Sequence, residues 1–259
     1  MQASVAPVTI TALEGIPLVQ PGDDVAGLLI AALKNAGLIP QPQDILVVAQ
    51  KIVSKAEDRY VELASVEPSP RAIELAAVTR KDPRLIEAIL SQSAAVIRAK
   101  PGVIIVETSH GYVMANAGID QSNLDPGSAQ ARVLLLPEDP DRSAQKIKHA
   151  IDANFSTDIG VIVSDSVGRA WRLGTIGLAL GAAGVPSLLD RRGEADLAGR
   201  RLEVTEVGFA DAVAAAAVLV MGEAAEGRPA ALVRGLDWGN APAKPAAALV
   251  RPKTEDLFR

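Results

Sequence analysis

The chain has 259 residues, enough for one large domain or two small ones around a substantial buried core. Hydrophobic residues make up 49% of it and aromatics only 3%, so the core must be built from Ala, Val, Leu and Ile, which favours mixed helix and sheet. A net charge of -5 and zero cysteines exclude general attraction to nucleic acid or an anionic membrane, disulfides, thiolate metal sites and cysteine nucleophiles.

The opening Met1–Pro7 lacks a basic region followed by an apolar run, so no signal peptide is expected. A strand is predicted from Val8 to Leu13, followed by the turn Glu14–Pro17. Asp23 or Asp24 can cap a helix with Leu28, Leu29, Ala32 and Leu33 on one face and Gly37 at its end. After a proline-broken link, Ile45–Ala49 is a continuous apolar run suited to a strand covered on both faces, and Lys51–Lys55 follows it. Pro83 suits the first turn of a helix reaching Gln92. The runs Ala94–Arg98 and Val103–Thr108 flank Pro101-Gly102 as a hairpin, ahead of a polar segment from Ser109 to Asn123.

A strand at Val133–Leu136 and a helix from Asp141 to Asn154 lead to a second buried strand, Ile159–Val163, which runs into Ser164-Asp165-Ser166. The Gly- and Ala-rich stretch Ile176–Val185 allows close backbone packing or a bent strand. A charged, turn-rich segment from Leu188 to Leu202 precedes an alanine-rich helix, Phe209–Met221, and a last strand at Ala231–Val233. The helical part containing Asp211 is too short to span a bilayer. Beyond Trp238 a mobile tail is expected. The reading is a soluble cytoplasmic α+β or α/β protein with no nucleic-acid or membrane partner.

Small residues and Gly118 precede Asp120 and Asn123, whose oxygens suit a hard cation such as Mg or Mn. Spacing alone favours an Asx-rich turn there. Asp165, with Ser166 beside it, can ligate a metal at a strand end or cap the next segment. Arg169 and Arg172 can clamp a phosphate or carboxylate, or form ordinary salt bridges. Glu223 and Glu226 read as turn charge, Lys55 as a phosphate ligand or an exposed edge, His110 as an acid, base or hydrogen-bonding orienter or as a structural residue, and His149 as a surface residue. No P-loop, G-x-G-x-x-G or G-x-S-x-G motif occurs. Residue patterns alone reach a carboxylate–metal enzyme and no further.

Five segments in order make a more specific pattern. They are Gly15-Ile16-Pro17 before Gly22-Asp23-Asp24, Lys51–Glu57, His110–Asn123, Ser164–Gly174, and Thr205–Asp211 with Gly222–Pro229. Together, from Leu13 to Trp238, they resemble the coenzyme F420-0:L-glutamate ligase (gamma-glutamyl ligase) family. The resemblance implies an α+β ligase fold of mixed sheets with flanking helices, in an intertwined homodimer. It implies GTP-dependent joining of L-glutamate to the carboxylate of the coenzyme F420 precursor through an acyl phosphate, with longer gamma-linked tails from further additions.

By position, Asp120 and Asp165 resemble ligands of one divalent ion (Mg or Mn), and Ser166 and Glu223 ligands of a second. Ile16, Pro17, Leu18, Val19, Gln50, Lys55 and Asn123 resemble nucleotide-contacting positions, as do Met221, Gly222, Glu223, Ala224, Ala225, Glu226, Gly227 and Arg228. The resemblance casts Asp120, Asp165 and Lys55 as catalytic, and a potassium ion accompanies the family. Some relatives carry a further nitroreductase-like, flavin-binding domain. Here the expectation is a stand-alone ligase domain over residues 1–245 with a tail at 246–259 and no flavin. Two rivals remain at this stage: a related ligase with another acid or amine donor, and a non-catalytic nucleotide- or cofactor-binding protein.

Overall fold

The structure, a computed structural model, describes residues 7–121 and 132–257. In chain order the first elements are β1 (Thr9–Leu13), α1 (Val25–Asn35), β2 (Ile45–Ala49), α2 (Gln50–Ala56), β3 (Tyr60–Glu62), α3 (Pro70–Thr79), α4 (Pro83–Ser91), β4 (Ser93–Lys100) and β5 (Val103–Thr108). They continue with β6 (Val113–Ala115), β7 (Arg132–Leu134), α5 (Pro140–Phe155), β8 (Gly160–Gly168), β9 (Thr175–Ala183), β10 (Leu188–Asp190), β11 (Glu206–Gly208), α6 (Phe209–Met221) and β12 (Ala230–Arg234). Mixed sheets with helices packed against them make this an α+β protein.

The two continuous apolar runs become the centre of a five-stranded sheet of order β1-β12-β2-β8-β9. Only β2 and β8 are parallel; the other pairs are antiparallel. Alternation along these strands splits the core between two faces. Leu46, Val48, Val161 and Val163 pack against Leu29 and Leu33 of α1, Val53 of α2 and Ile147 and Ile151 of α5. Ile45, Val47, Ile162 and Val233 pack against Ala210, Val213, Ala214 and Ala217 of α6. Each fully buried Leu, Ile or Val contributes roughly 1.5–3 kcal/mol of transfer free energy, so these two layers dominate the stability.

The long connection between the parallel strands forms a second layer. There α3 and α4 cover the sheet β4-β5-β6 through Leu75, Ile86, Ile89, Ile104 and Val106. The short pair β3-β7 lies in the same connection. The helix α3 had no sequence expectation, although Ser69-Pro70 carries the same start signal as Asp82-Pro83. Ser69 and Asp82 each accept a backbone N–H from their own first turn, with proline at the first helical position.

Two expectations are corrected. Beyond Trp238 the chain is docked: Lys244 N–H donates to Val185 O, Ala246 is fully buried, and Asp141 accepts the N–H groups of Ala246 and Ala247. Its alanines and prolines suit close packing against the sheet as well as they suit a loose tail. Asp165 also starts no helix, because β8 runs on through Ser164–Ser166 to Gly168.

Candidate active site

The end of β8 differs from its start. Ile45 to Ala49 of β2 pair with Gly160 to Ser164, and there β2 ends. From Asp165 to Gly168 β9 alone among the described strands is hydrogen-bonded alongside, so β8 and β9 leave the sheet as a two-stranded ribbon. Between the sheet and this ribbon β9 carries one extra residue, because Val163 pairs with Gly181 but Ser164 pairs with Ala179. A bulge of this kind bends the strands and re-aims the side chains that follow it.

Asp120 arrives from another layer. Asn116, Ala117 and Gly118 have φ of 53°, 56° and 70°, three successive left-handed residues, of which only Gly118 adopts that region freely. A side chain at Gly118 would also meet Leu136, at 2.9 Å. The turn delivers Asp120 to an antiparallel bridge with Leu134, N–H to O in both directions at 2.9 and 3.0 Å. Its carboxylate faces α2. Oδ2 accepts from Gln50 Nε2 at 2.8 Å, and Oδ1 lies 3.3 Å from Lys51 Nζ. Gln50 is buried and is fixed in turn by Ser54 Oγ at 2.8 Å.

These segments border one cleft of about 630 Å³, within the usual range for small-molecule sites. Ile16 to Val19 form one wall, Ala49 to Ile52 and Lys55 another, Ser164 to Ser166 a third, and Met221 to Pro229 a fourth. Every expected nucleotide position among the described residues lines this cleft; Asn123 lies outside them. Asp165, Ser166 and Glu223 line it directly, and Asp120 touches it through Gln50 and Lys51. Lys55 is buried on α2 rather than on an exposed edge.

Of the remaining candidates Arg169, Arg172, Glu226, His110 and His149, Glu226 alone lines the cleft. Neither Arg169 nor Arg172 lines the cleft; Arg169 Nη2 donates to Leu173 O at 3.3 Å, closing the ribbon tip. Glu226 accepts Ala224 N–H at 2.7 Å, and this bond holds its carboxyl below its ordinary range. His110 Nε2 is bonded to Glu138 O at 2.8 Å, and His149 is exposed on α5. Gln50 and Lys51 had no signal in spacing or charge that tied them to Asp120.

Burial pushes the Asp165 carboxyl up to about 7, and the charges of Asp120 and Glu223 push the same way, against the Ser166 N–H and Lys51. Burial raises Asp120 as well, opposed by Lys51, Gln50 and Lys55. Asp165 thus feels the negative charges of Asp120 and Glu223, and the Lys51 ammonium, 3.3 Å from Asp120, opposes the shift at both aspartates. A cation bound there would relieve that repulsion. The oxygen donors Asp120, Asp165, Ser166 and Glu223 fit Mg or Mn in kind. Among the described residues no three acids or histidines come together as a metal cage.

A family model for F420-0:gamma-glutamyl ligase matches residues 15–235. The chain belongs to this family. Curated relatives agree along nearly the full length. A coenzyme F420:L-glutamate ligase of Methanothermobacter thermautotrophicus is 47% identical over 253 residues, covering 97% of this chain and 99% of its own. The ligase of the same name from Methanopyrus kandleri is 45% identical over 254 residues, covering 95% and 97%. That of Haloarcula marismortui is 46% identical over 237 residues, covering 89% and 88%. The cleft described above lies within the matched span.

Proposed function

We propose that this member of the F420-0:gamma-glutamyl ligase family joins L-glutamate to the carboxylate of the coenzyme F420 precursor, at the expense of GTP. The observation that carries the reading is convergence. Four segments far apart in sequence close one cleft, with Asp165 and Ser166 on one wall and the glycine-containing turn Met221–Arg228, which carries Glu223, on another.

A carboxylate is a poor electrophile, so its oxygen must first become part of a leaving group. In the proposed sequence a precursor carboxylate oxygen attacks the γ-phosphorus of GTP, forming a C–O–P link as the bond to GDP breaks. The glutamate amine then attacks the acyl carbon, a C–N bond forms, inorganic phosphate departs and the nitrogen loses a proton. Ile16–Val19 and Met221–Arg228 flank the nucleotide, and Lys55 supplies a point charge toward its phosphates. Asp120, Asp165, Ser166 and Glu223 would hold two divalent ions, whose chemistry is to neutralise the triphosphate and the charge that develops in transfer. Gln50 and Lys51 orient Asp120 for that task.

We also propose a homodimer, supported by Trp171 and Leu173, which are 82% and 97% exposed at the ribbon tip. Sedimentation at a monomer mass across micromolar concentrations would refute it. The catalytic reading is tested by incubating the protein with glutamate-free precursor, L-glutamate, GTP and Mg or Mn, and following product mass. Glutamate-sized additions with matching GDP and phosphate are expected. Additions that require another amino acid would move the substrate, and no addition under any metal condition would end the proposal.

A further inference from the structure

Asp165 and Ser166 sit on the ribbon, where among the described strands β9 alone is hydrogen-bonded to them, and the ribbon's direction is set at the extra residue of β9. Two side chains from outside the sheet grip that bulge. Asp211, in the first turn of α6, accepts Ala179 N–H at 2.9 Å. Tyr112, between β5 and β6, donates its hydroxyl to Leu180 O at 2.5 Å. Tyr112 is buried, in a small core with Met114, Leu136, Val167 and Leu180 that joins the β4-β5-β6 layer to the ribbon. The strand after Tyr112 leads directly into the left-handed turn that delivers Asp120. Asp211 opens the helix that ends in the Met221–Arg228 wall, and the ribbon packs closely on it: a side chain at Gly177 would lie 2.4 Å from Ala214 O.

We infer that Tyr112 and Asp211 are positioning residues that fix the separation of Asp120 from Asp165 and Ser166 by locking the β9 bulge between the two layers. Neither touches the cleft, and each bond ends on a backbone atom that only the bulge presents. A ribbon tied to the sheet only through its own hairpin would pivot at that point. With both bonds in place, the segment carrying Asp120 and the strand carrying Asp165 move as one body. This inference rests on the metal-site reading above.

The test is titration of the purified, GTP-free protein with Mn alone, with folding checked by circular dichroism. Outer supports of metal ligands are typically worth about 10- to 100-fold in affinity, so Tyr112→Phe and Asp211→Ala should weaken Mn binding by about tenfold. Asp211→Asn keeps an oxygen for Ala179 N–H and should retain wild-type affinity. Ile151→Val, a core truncation on α5 away from the bulge, should lower the melting temperature and leave Mn affinity unchanged. A folded Tyr112→Phe protein with wild-type affinity overturns the inference, as does an equal loss in Ile151→Val. If Tyr112→Phe does not fold, the contrast between Asp211→Ala and Asp211→Asn decides. Failure of the wild-type protein to bind Mn would instead remove the metal site itself, and the inference with it.

Discussion

The two halves of β8 have the same backbone and opposite tasks. Gly160 to Ser164 lie between β2 and β9, with Val161, Ile162 and Val163 fully buried. Asp165 to Gly168 keep one neighbour, stand beyond the sheet and place a carboxylate where its charge is disfavoured. The first half gains stability from apolar burial on both faces. The second spends some of it on acids held close together. Activity and stability should therefore respond in opposite directions to changes only a few residues apart.

The largest effect is expected at the acids. Asp120→Ala and Asp165→Asn should each lower ligation about a thousandfold, the order seen when a main electrostatic stabiliser is removed, with the fold intact by circular dichroism. A fully active Asp120→Ala protein would mean the site has been misplaced.

Asp165 also sets a pH signature. Its folded-state pKa is raised from 3.8 to about 7, so the folded form holds this proton more tightly than the unfolded chain. The associated stability is fully present below about pH 4 and is lost as pH rises through about 7, amounting to on the order of 2–4 kcal/mol. Metal-free protein should melt lower at pH 8 than at pH 5. Mn or Mg should restore more stability at the higher pH, and Asp165→Asn should flatten the dependence. An unchanged melting temperature across this range would show that burying Asp165 does not burden the fold.

On the other half of the strand, Ile162→Ala should cost about 2–5 kcal/mol in denaturant unfolding, with near-normal turnover per folded molecule. Gly177→Ala lies between the two regimes. Its methyl group would press on the α6 backbone at Ala214, so a loss of roughly 1–3 kcal/mol should come with reduced activity. Normal activity in that variant would uncouple the ribbon from α6. The smallest effect belongs to His149→Ala, exposed on α5, where melting temperature and turnover should stay within about 0.5 kcal/mol of wild type.

Much of this was legible in the sequence because burial writes itself into pattern. Continuous apolar runs marked β2 and the first half of β8, and Pro83 and the alanine-rich stretch marked α4 and α6. The identities of the acids were legible as well, but only through an ordered resemblance: spacing by itself made Asp120 a turn residue. In the structure its carboxylate turns away to Gln50 and Lys51, partners 70 and 69 positions back along the chain. Local spacing carries no information about contacts of that range. The docking of residues beyond Trp238 was hidden for the same reason, since it depends on Asp141 of a distant helix.

The sequence by itself determined the elements of the large sheet, the kinds of side chain available for chemistry and the family to which the chain belongs. Only the tertiary structure decided that β8 continues past its neighbour, that β9 takes an extra residue opposite Ser164, and that Asp165 answers to the charges of Asp120 and Glu223. The division follows from range. Apolar periodicity and turn chemistry act over a few residues, whereas the end of a sheet and the field at a carboxylate depend on which distant segments arrive beside them.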